Sequence, residues 1–84
     1  MHAREALARR ESARKACVRA VEAVDECRRQ LDIVRTFGRP EDVQAAQREL
    51  DEAIAARRRA WLRWHQVCDE TREAVEAGLW TGAI

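Results

Sequence analysis

The chain of 84 residues has few of the residues that interrupt helices. It contains three glycines, one proline, one phenylalanine and no tyrosine. No apolar run approaches the roughly 20 residues that a membrane-spanning helix needs. Almost nothing is left over for strands or long loops, so the composition predicts a single all-α domain without a membrane span.

Other absences bear on chemistry and location. Three cysteines cannot all pair within one chain, and no apolar signal segment follows Met1. Reduced thiols and a cytoplasmic protein are therefore expected. The formal net charge of +1 provides no overall field towards nucleic acid or membrane. Lys15 is the only lysine, and together with abundant alanine this bias indicates a GC-rich bacterial coding sequence.

A heptad repeat of small and apolar residues runs through the first half of the chain. Its steps alternate between three and four residues, which places them on one seam of an under-wound helix. We predict a helix over about 3–36. The seam residues are Ala13, Cys17, Ala20, Val24, Cys27, Leu31 and Val34. Further apolar residues widen this face, as if it met more than one neighbour: Leu7, Val18, Val21 and Ile33.

A break at residues 37–40 separates this helix from a second one. Gly38 suits the left-handed position after a helix end, and Pro40 suits the first position of a new helix. Glu41 and Asp42 then occupy the first turn, where the helix dipole favours negative charge. The second helix is predicted over about 40–77, with Gly78 ending it in a Schellman motif before an apolar tail at 78–84.

The second seam complements the first when the chain folds back at Gly38. Val34 then meets Val43, Cys27 meets Leu50, and the small residues further along face Trp61 and Trp64. The expected fold is a long, coiled-coil-like antiparallel hairpin. Exposed apolar flanks remain, including Leu62, and pairing two hairpins into a four-helix bundle would cover them. A homodimer is expected first, and a bundle with a second helical protein next.

Catalytic and metal chemistry have little support in the sequence. No Gly-rich phosphate loop, Ser-His-Asp set or H-E-x-x-H motif is present, so we expect neither an enzyme nor a cofactor. His65 and Cys68 lie three residues apart on one side of the second helix. With a thiolate from another helix they are the one weak metal candidate. The alternative is a solvated histidine beside a cysteine at the edge of the core.

A belt of cations crosses the middle of the hairpin. It comprises Arg57, Arg58, Arg59 and Arg63, opposed by Arg14, Lys15 and Arg19. A nucleic-acid interface would use such cations on phosphates. Because acids flank the belt on both sides, a solvated face or an acidic partner is the preferred interpretation. Arg57 lies on the apolar seam itself, so its charged end could reach out to solvent. Alternatively, it could pair across an oligomer with a carboxylate such as Glu22 or Asp25 and help set register or partner choice.

The apolar tail offers a second way to bind a partner. Leu79, Trp80 and Ile84 could dock into another protein, or the tail could cap the hairpin. Trp80-Thr81-Gly82 also spells W-x-G. The chain thus resembles the WXG family of type VII secretion substrates, helical-hairpin dimers that carry the tripeptide in the turn between helices. Here that turn reads Phe37-Gly38-Arg39 instead. The resemblance implies a secreted hairpin.

These observations predict a non-enzymatic interaction module, an adaptor, assembly or regulatory subunit. It would act through its helix faces, through Arg57, Arg58 and Arg63, and through the tail. A secreted WXG-like hairpin is the alternative, and a nucleic-acid-binding helical dimer comes third.

Overall fold

The chain folds into two long helices joined by a tight turn. A computed structural model describes the backbone of residues 3–82 and the side chains of residues 3–78. Helix α1 spans Ala3–Phe37 and helix α2 spans Pro40–Gly82. They pack as a hairpin whose Cα atoms extend over 67 × 13 × 12 Å. The all-α hairpin predicted from the heptads is therefore confirmed. Neither helix, within its described residues, carries an apolar stretch fit to cross a membrane.

The start of α2 is fixed by its third residue. The Asp42 carboxylate accepts a hydrogen bond from the backbone N–H of Arg39 at 3.1 Å. In return, the Arg39 carbonyl accepts the backbone N–H groups of Asp42 and Val43 at 3.0 and 3.1 Å. This is one half of a capping box, in which a side chain at the third helical position reaches back to the residue before the helix. Asp42 thus adds a directed contact to the dipole effect expected from the sequence.

Gly38 is needed for a reason that differs from the predicted one. Neither it nor any other glycine in the described chain has a positive φ, so the left-handed conformation predicted at Gly38 is wrong. Its N–H instead donates to the Val34 carbonyl at 2.7 Å, which continues the helical pattern by one more bond. A Cβ at this position would lie 2.7 Å from the same oxygen. The requirement for glycine therefore comes from close approach of the backbone.

The end of α2 also lies beyond its predicted position. The helix passes through Gly78 and continues to Gly82, so the Schellman end predicted at Gly78 is wrong. A glycine inside a helix costs about 1 kcal/mol relative to alanine, which weakens the helix without obliging it to stop. The segment predicted as a tail therefore begins as a continuation of the helix.

One register holds along the whole hairpin. The Cys17 thiol donates to the Ala60 carbonyl at 3.1 Å, and the Thr71 hydroxyl lies 3.2 Å from the Ala6 carbonyl. Eleven residues separate the two contacts on each helix. The same register places Val34 opposite Val43 beside the turn, and both side chains pack against one apolar cluster there. The predicted pairing of the two seams is therefore confirmed.

The seam is well buried at both ends and poorly buried between them. Near the turn, Val24 is fully inaccessible and packs with three other buried residues in one cluster. Near the other end Val67 is 1% exposed. Between these regions, residues 14–23 of α1 and 51–66 of α2 contain no buried side chain. We call this stretch the open middle. The buried residues flanking it are Ala6, Ala13, Val24, Leu31, Ala46, Leu50, Val67 and Thr71.

The orientation of the tryptophan rings of α2 helps to explain why the open middle has no buried side chain. The sequence predicts that Trp61 and Trp64 fill space against small residues of α1. Trp64 is only half-buried and Trp61 is 56% exposed, so the interdigitated layer predicted there is wrong for Trp61. Trp61 follows the seam residue Ala60 by one position. A step of one residue on a helix turns a side chain about 100° away, out of the seam and onto the side of the hairpin.

Candidate interaction surface

Five large apolar side chains gather on one side of the hairpin. We call this side the apolar face. Val21, Ile54 and Trp61 line one groove there. Val18 lies one helical turn from Val21, and Leu7 lies two heptads away, so both belong to the same side of α1. The exposed fractions of the five run from 37% for Ile54 to 56% for Trp61. Four of them lie within the open middle, where the hairpin's own core is thinnest.

The groove itself is a shallow channel between the two helices. Its volume is about 330 Å³, and its walls are mostly apolar. Cys17 lies at its edge, half-buried, with its thiol committed to the Ala60 carbonyl. The remaining lining residues are the two arginines Arg57 and Arg58. A surface of this kind, an apolar strip with fixed charges beside it, suits an amphipathic helix laid along it.

Arg57 and Arg58 bring cations to this apolar surface. Arg57 is half-buried on the seam, as its heptad position predicts, and Arg58 is exposed beside it. Among the described residues, neither guanidinium lies within ion-pair distance of a carboxylate. Their positive charge is therefore not neutralised by a close contact inside the hairpin.

The rest of the basic belt does not join them in one surface. Arg59 pairs with Glu52 at 3.2 Å, and Arg14 pairs with Glu11 at 2.7 Å. Arg63 donates to Gln66 at 3.4 Å, and it lies on the opposite side of the hairpin, where it shares a depression with Arg9. The belt predicted from the sequence thus encircles the hairpin, and only Arg57 and Arg58 line the groove of the apolar face.

Ion pairs along α1 perturb two carboxylates. Hydrogen bonds from the Arg14 guanidinium lower the pKa of Glu11 from its ordinary value of 4.5. Hydrogen bonds from Arg29 and then Gln30 lower the pKa of Glu26 in the same way. Both carboxylates lie on the exposed surface of α1. These pairs therefore describe a solvated helix surface.

The side of the hairpin opposite the apolar face carries an ion pair between the helices. Arg9 of α1 lies 3.3 Å from Glu70 of α2, so a cation near the start of the chain pairs with an acid on the second helix. The Glu70 Oε2 atom is buried and makes no hydrogen bond of good geometry in the described structure. The close approach of Arg9 to that same atom means that the contact is electrostatic rather than directed.

Two side chains, Arg10 and His65, contact tryptophan rings beside the apolar face, and neither belongs to a metal site within the described residues. The Arg10 guanidinium lies 5.6 Å from the centre of the Trp64 ring, within the range of a cation–π contact. His65 is exposed and meets Trp61 edge to face, with ring centres 4.5 Å apart. Cys68 is half-buried. In residues 3–78, no three potential ligands converge on a point, so His65 and Cys68 gain no third ligand within one hairpin.

The predicted docking tail lies largely outside the description. The backbone of Leu79, Trp80 and Thr81 belongs to α2, whereas the side chains of residues 79–82 and the whole of Ile84 lie outside the described residues. The W-x-G tripeptide is thus part of a helix here, whereas in the WXG family it forms a turn.

No family model, curated protein sequence or solved structure matches the chain.

The sequence indicated four exposed apolar residues of α1, Leu7, Val18, Val21 and Ile33, but not Phe37, which is 85% exposed. It also did not indicate that three of the four share a side with Ile54 and Trp61. The signal was present in the heptads. Both α2 residues follow a seam residue by one position, as Leu7 and Val21 do on α1. In an antiparallel pair, positions of this kind lie side by side.

Proposed function

We propose that this protein is a non-enzymatic interaction module that pairs through its apolar face to form a four-helix bundle. One observation carries the proposal. The stretch of seam that lacks a buried residue coincides with the stretch of surface that exposes Val18, Val21, Ile54 and Trp61. A second hairpin laid on this face would bury those side chains and complete the core of the open middle.

The magnitudes support such a contact. Burial of a large aliphatic side chain contributes about 1.5–3 kcal/mol relative to full exposure. Four such residues, each already about half-buried, leave several kcal/mol to be gained on pairing. Stable protein interfaces bury about 800 Å² on each partner. A hairpin whose Cα atoms extend over 67 Å offers a long side on which such a contact can form.

The test is the mass of the purified protein by light scattering, with circular dichroism on the same sample. We expect a helical dimer. Replacing Val21 and Ile54 together by serine should convert it into a helical monomer, because these residues face the partner. The matched control replaces Ile33 and Leu62 by serine, since they are 52% and 61% exposed and lie outside the apolar face.

Each outcome has a meaning for the proposal. A dimer that survives the double change on the apolar face but dissociates in the control would place the interface elsewhere. A wild-type chain that has the mass of one copy and full helical content would contradict the proposal that the hairpin pairs with itself.

A further inference from the structure

The residues that line the groove indicate what kind of partner surface can bind there. Arg57 and Arg58 stand beside an apolar channel, and the described hairpin places no carboxylate within ion-pair distance of them. A complementary helix must therefore present aliphatic side chains followed by acids.

Helix α1 of the same chain has this pattern. Val18 and Val21 are followed within about one turn by Glu22 and Asp25. All four are exposed, and neither carboxylate forms an ion pair within the described residues. The chain thus carries two arginines on α2 and two carboxylates on α1 that form no ion pair within the described residues, both next to the apolar face. On α1 itself, Glu22 shares a shallow depression with Arg19, and Asp25 interacts electrostatically with Arg29 without a close contact.

We infer that the occupant of the groove is α1 of a second copy, with Glu22 and Asp25 of each protomer facing Arg58 of the other. This inference rests on the proposed function, to which it adds the identity of the partner and the residues that select it. A two-fold interface repeats every contact, so the arrangement contains two such clusters.

The register makes the contact reachable. Arg58 precedes Ala60 by two residues, which puts it at the level of Arg19 on its own α1. In a two-fold pair with both turns at the same end, Glu22 of the partner lies about 4.5 Å and Asp25 about 9 Å further along the axis. Long arginine side chains span such offsets and keep their apolar stems on the groove. The charges would then select this pairing over others.

Charge exchange tests the inference. One variant carries Arg58→Glu and the other carries Glu22→Arg with Asp25→Arg. Each changes exposed residues outside the seam, so the hairpin should keep its helical content. Alone, each variant should form a dimer whose dissociation constant is about tenfold or more higher than that of the wild type. The reason is that like charges would then face each other in both symmetry-related clusters. Mixed in equal amounts, they should regain the mass of a dimer, because both clusters become complementary again.

Matched changes elsewhere control for altered net charge. Arg48→Glu matches the first variant, and Glu49→Arg with Glu73→Arg matches the two exchanges of the second, all at exposed positions outside the apolar face. Both should dimerise as the wild type does. The inference is overturned if the Arg58 and Glu22/Asp25 variants pair as tightly as these controls, or if mixing fails to restore the dimer.

The serine variant of Val21 and Ile54 separates the two proposals. If that variant loses the dimer while the charge variants pair as before, the apolar face is the interface. The inference that Glu22 and Asp25 of a second copy face Arg58 would then be wrong. A wild-type monomer at every concentration would sink both.

Discussion

The carbonyl oxygen of Val34 lies 2.7 Å from the amide nitrogen of Gly38, and equally close to the place where a Cβ on Gly38 would be built. The turn of the hairpin therefore has no room for a side chain at this position. Gly78 is the opposite case, since a Cβ added there would meet nothing within 4 Å. The two glycines form a natural pair for comparison.

Gly38→Ala should destabilise the hairpin, whereas Gly78→Ala should stabilise it slightly. The first change forces the backbone of the turn to move, which we expect to cost about 1–3 kcal/mol. The second improves helix propensity by about 0.5–1 kcal/mol where the helix is formed. Urea denaturation followed by circular dichroism, at one fixed protein concentration, gives both values. Equal shifts in the same direction would contradict the geometry described for the turn.

Asp42→Ala should lower the free energy of unfolding by about 1 kcal/mol, the usual effect of losing a capping side chain. The contact at stake is the hydrogen bond from the Arg39 N–H. Glu41→Ala removes the neighbouring acid of the first turn and serves as the control. It should lose only a dipole effect of a few tenths of a kcal/mol. If the two variants unfold at the same urea concentration, the capping contact contributes nothing.

Val24→Ala and Val67→Ala should each destabilise the fold by about 2 kcal/mol, because each removes two buried methyl groups and leaves a cavity. Val24 is 0% exposed and Val67 is 1% exposed, one on either side of the open middle. Leu62→Ala, at a position that is 61% exposed, should change stability little. Thermal unfolding at fixed concentration measures all three. A Leu62 effect as large as that of Val24 would mean that Leu62 is covered in solution.

The carboxyls of Glu11 and Glu26 should titrate below their ordinary value of 4.5, since guanidinium hydrogen bonds favour the charged form. Folded-state pKa values that lie below the unfolded ones add stability above the unfolded pKa. That contribution disappears as the pH falls through the folded-state pKa. NMR titration of the side-chain carboxyl carbons measures each pKa directly.

Arg14→Gln should raise the pKa of Glu11 towards its ordinary value and leave Glu26 unchanged. Arg29→Gln should raise the pKa of Glu26, which keeps its hydrogen bond from Gln30, and leave Glu11 unchanged. High salt should reduce both shifts, because the pairs are exposed. A pKa of Glu11 that is the same with and without Arg14 would exclude the ion pair as its cause.

The seams and the turn could be predicted because heptad spacing and turn residues act locally. Val24, Leu31 and Leu50 are buried where the repeat places them, and Pro40 begins α2 as expected. The conformation of Gly38 was mispredicted because glycine satisfies two different demands, positive φ and close approach, and a sequence does not distinguish them. The end of α2 was mispredicted because Gly78 weakens a helix without terminating it.

The candidate surface was harder to predict than the fold. Sequence reasoning recognised Leu7, Val18 and Val21 as apolar residues beyond the seam, and it recognised Arg57 as a cation on the seam. It did not join them to Ile54 and Trp61, because that step depends on how two helices are arranged around each other. Trp61 shows the difficulty, since its size favours burial while its position after Ala60 turns it towards the groove.

A hairpin with a single turn and one constant register also has a built-in order of assembly. Contacts beside the turn close loops of a few residues, whereas Thr71 meets Ala6 across 65 residues of chain. Loop-closure entropy grows with the logarithm of that separation. Folding should therefore zip from the turn towards the chain ends. Substitutions near Val34 and Val43 should slow folding, and substitutions near Val67 should mainly speed unfolding. Stopped-flow kinetics would reveal the reverse order if Val67 variants slowed folding more.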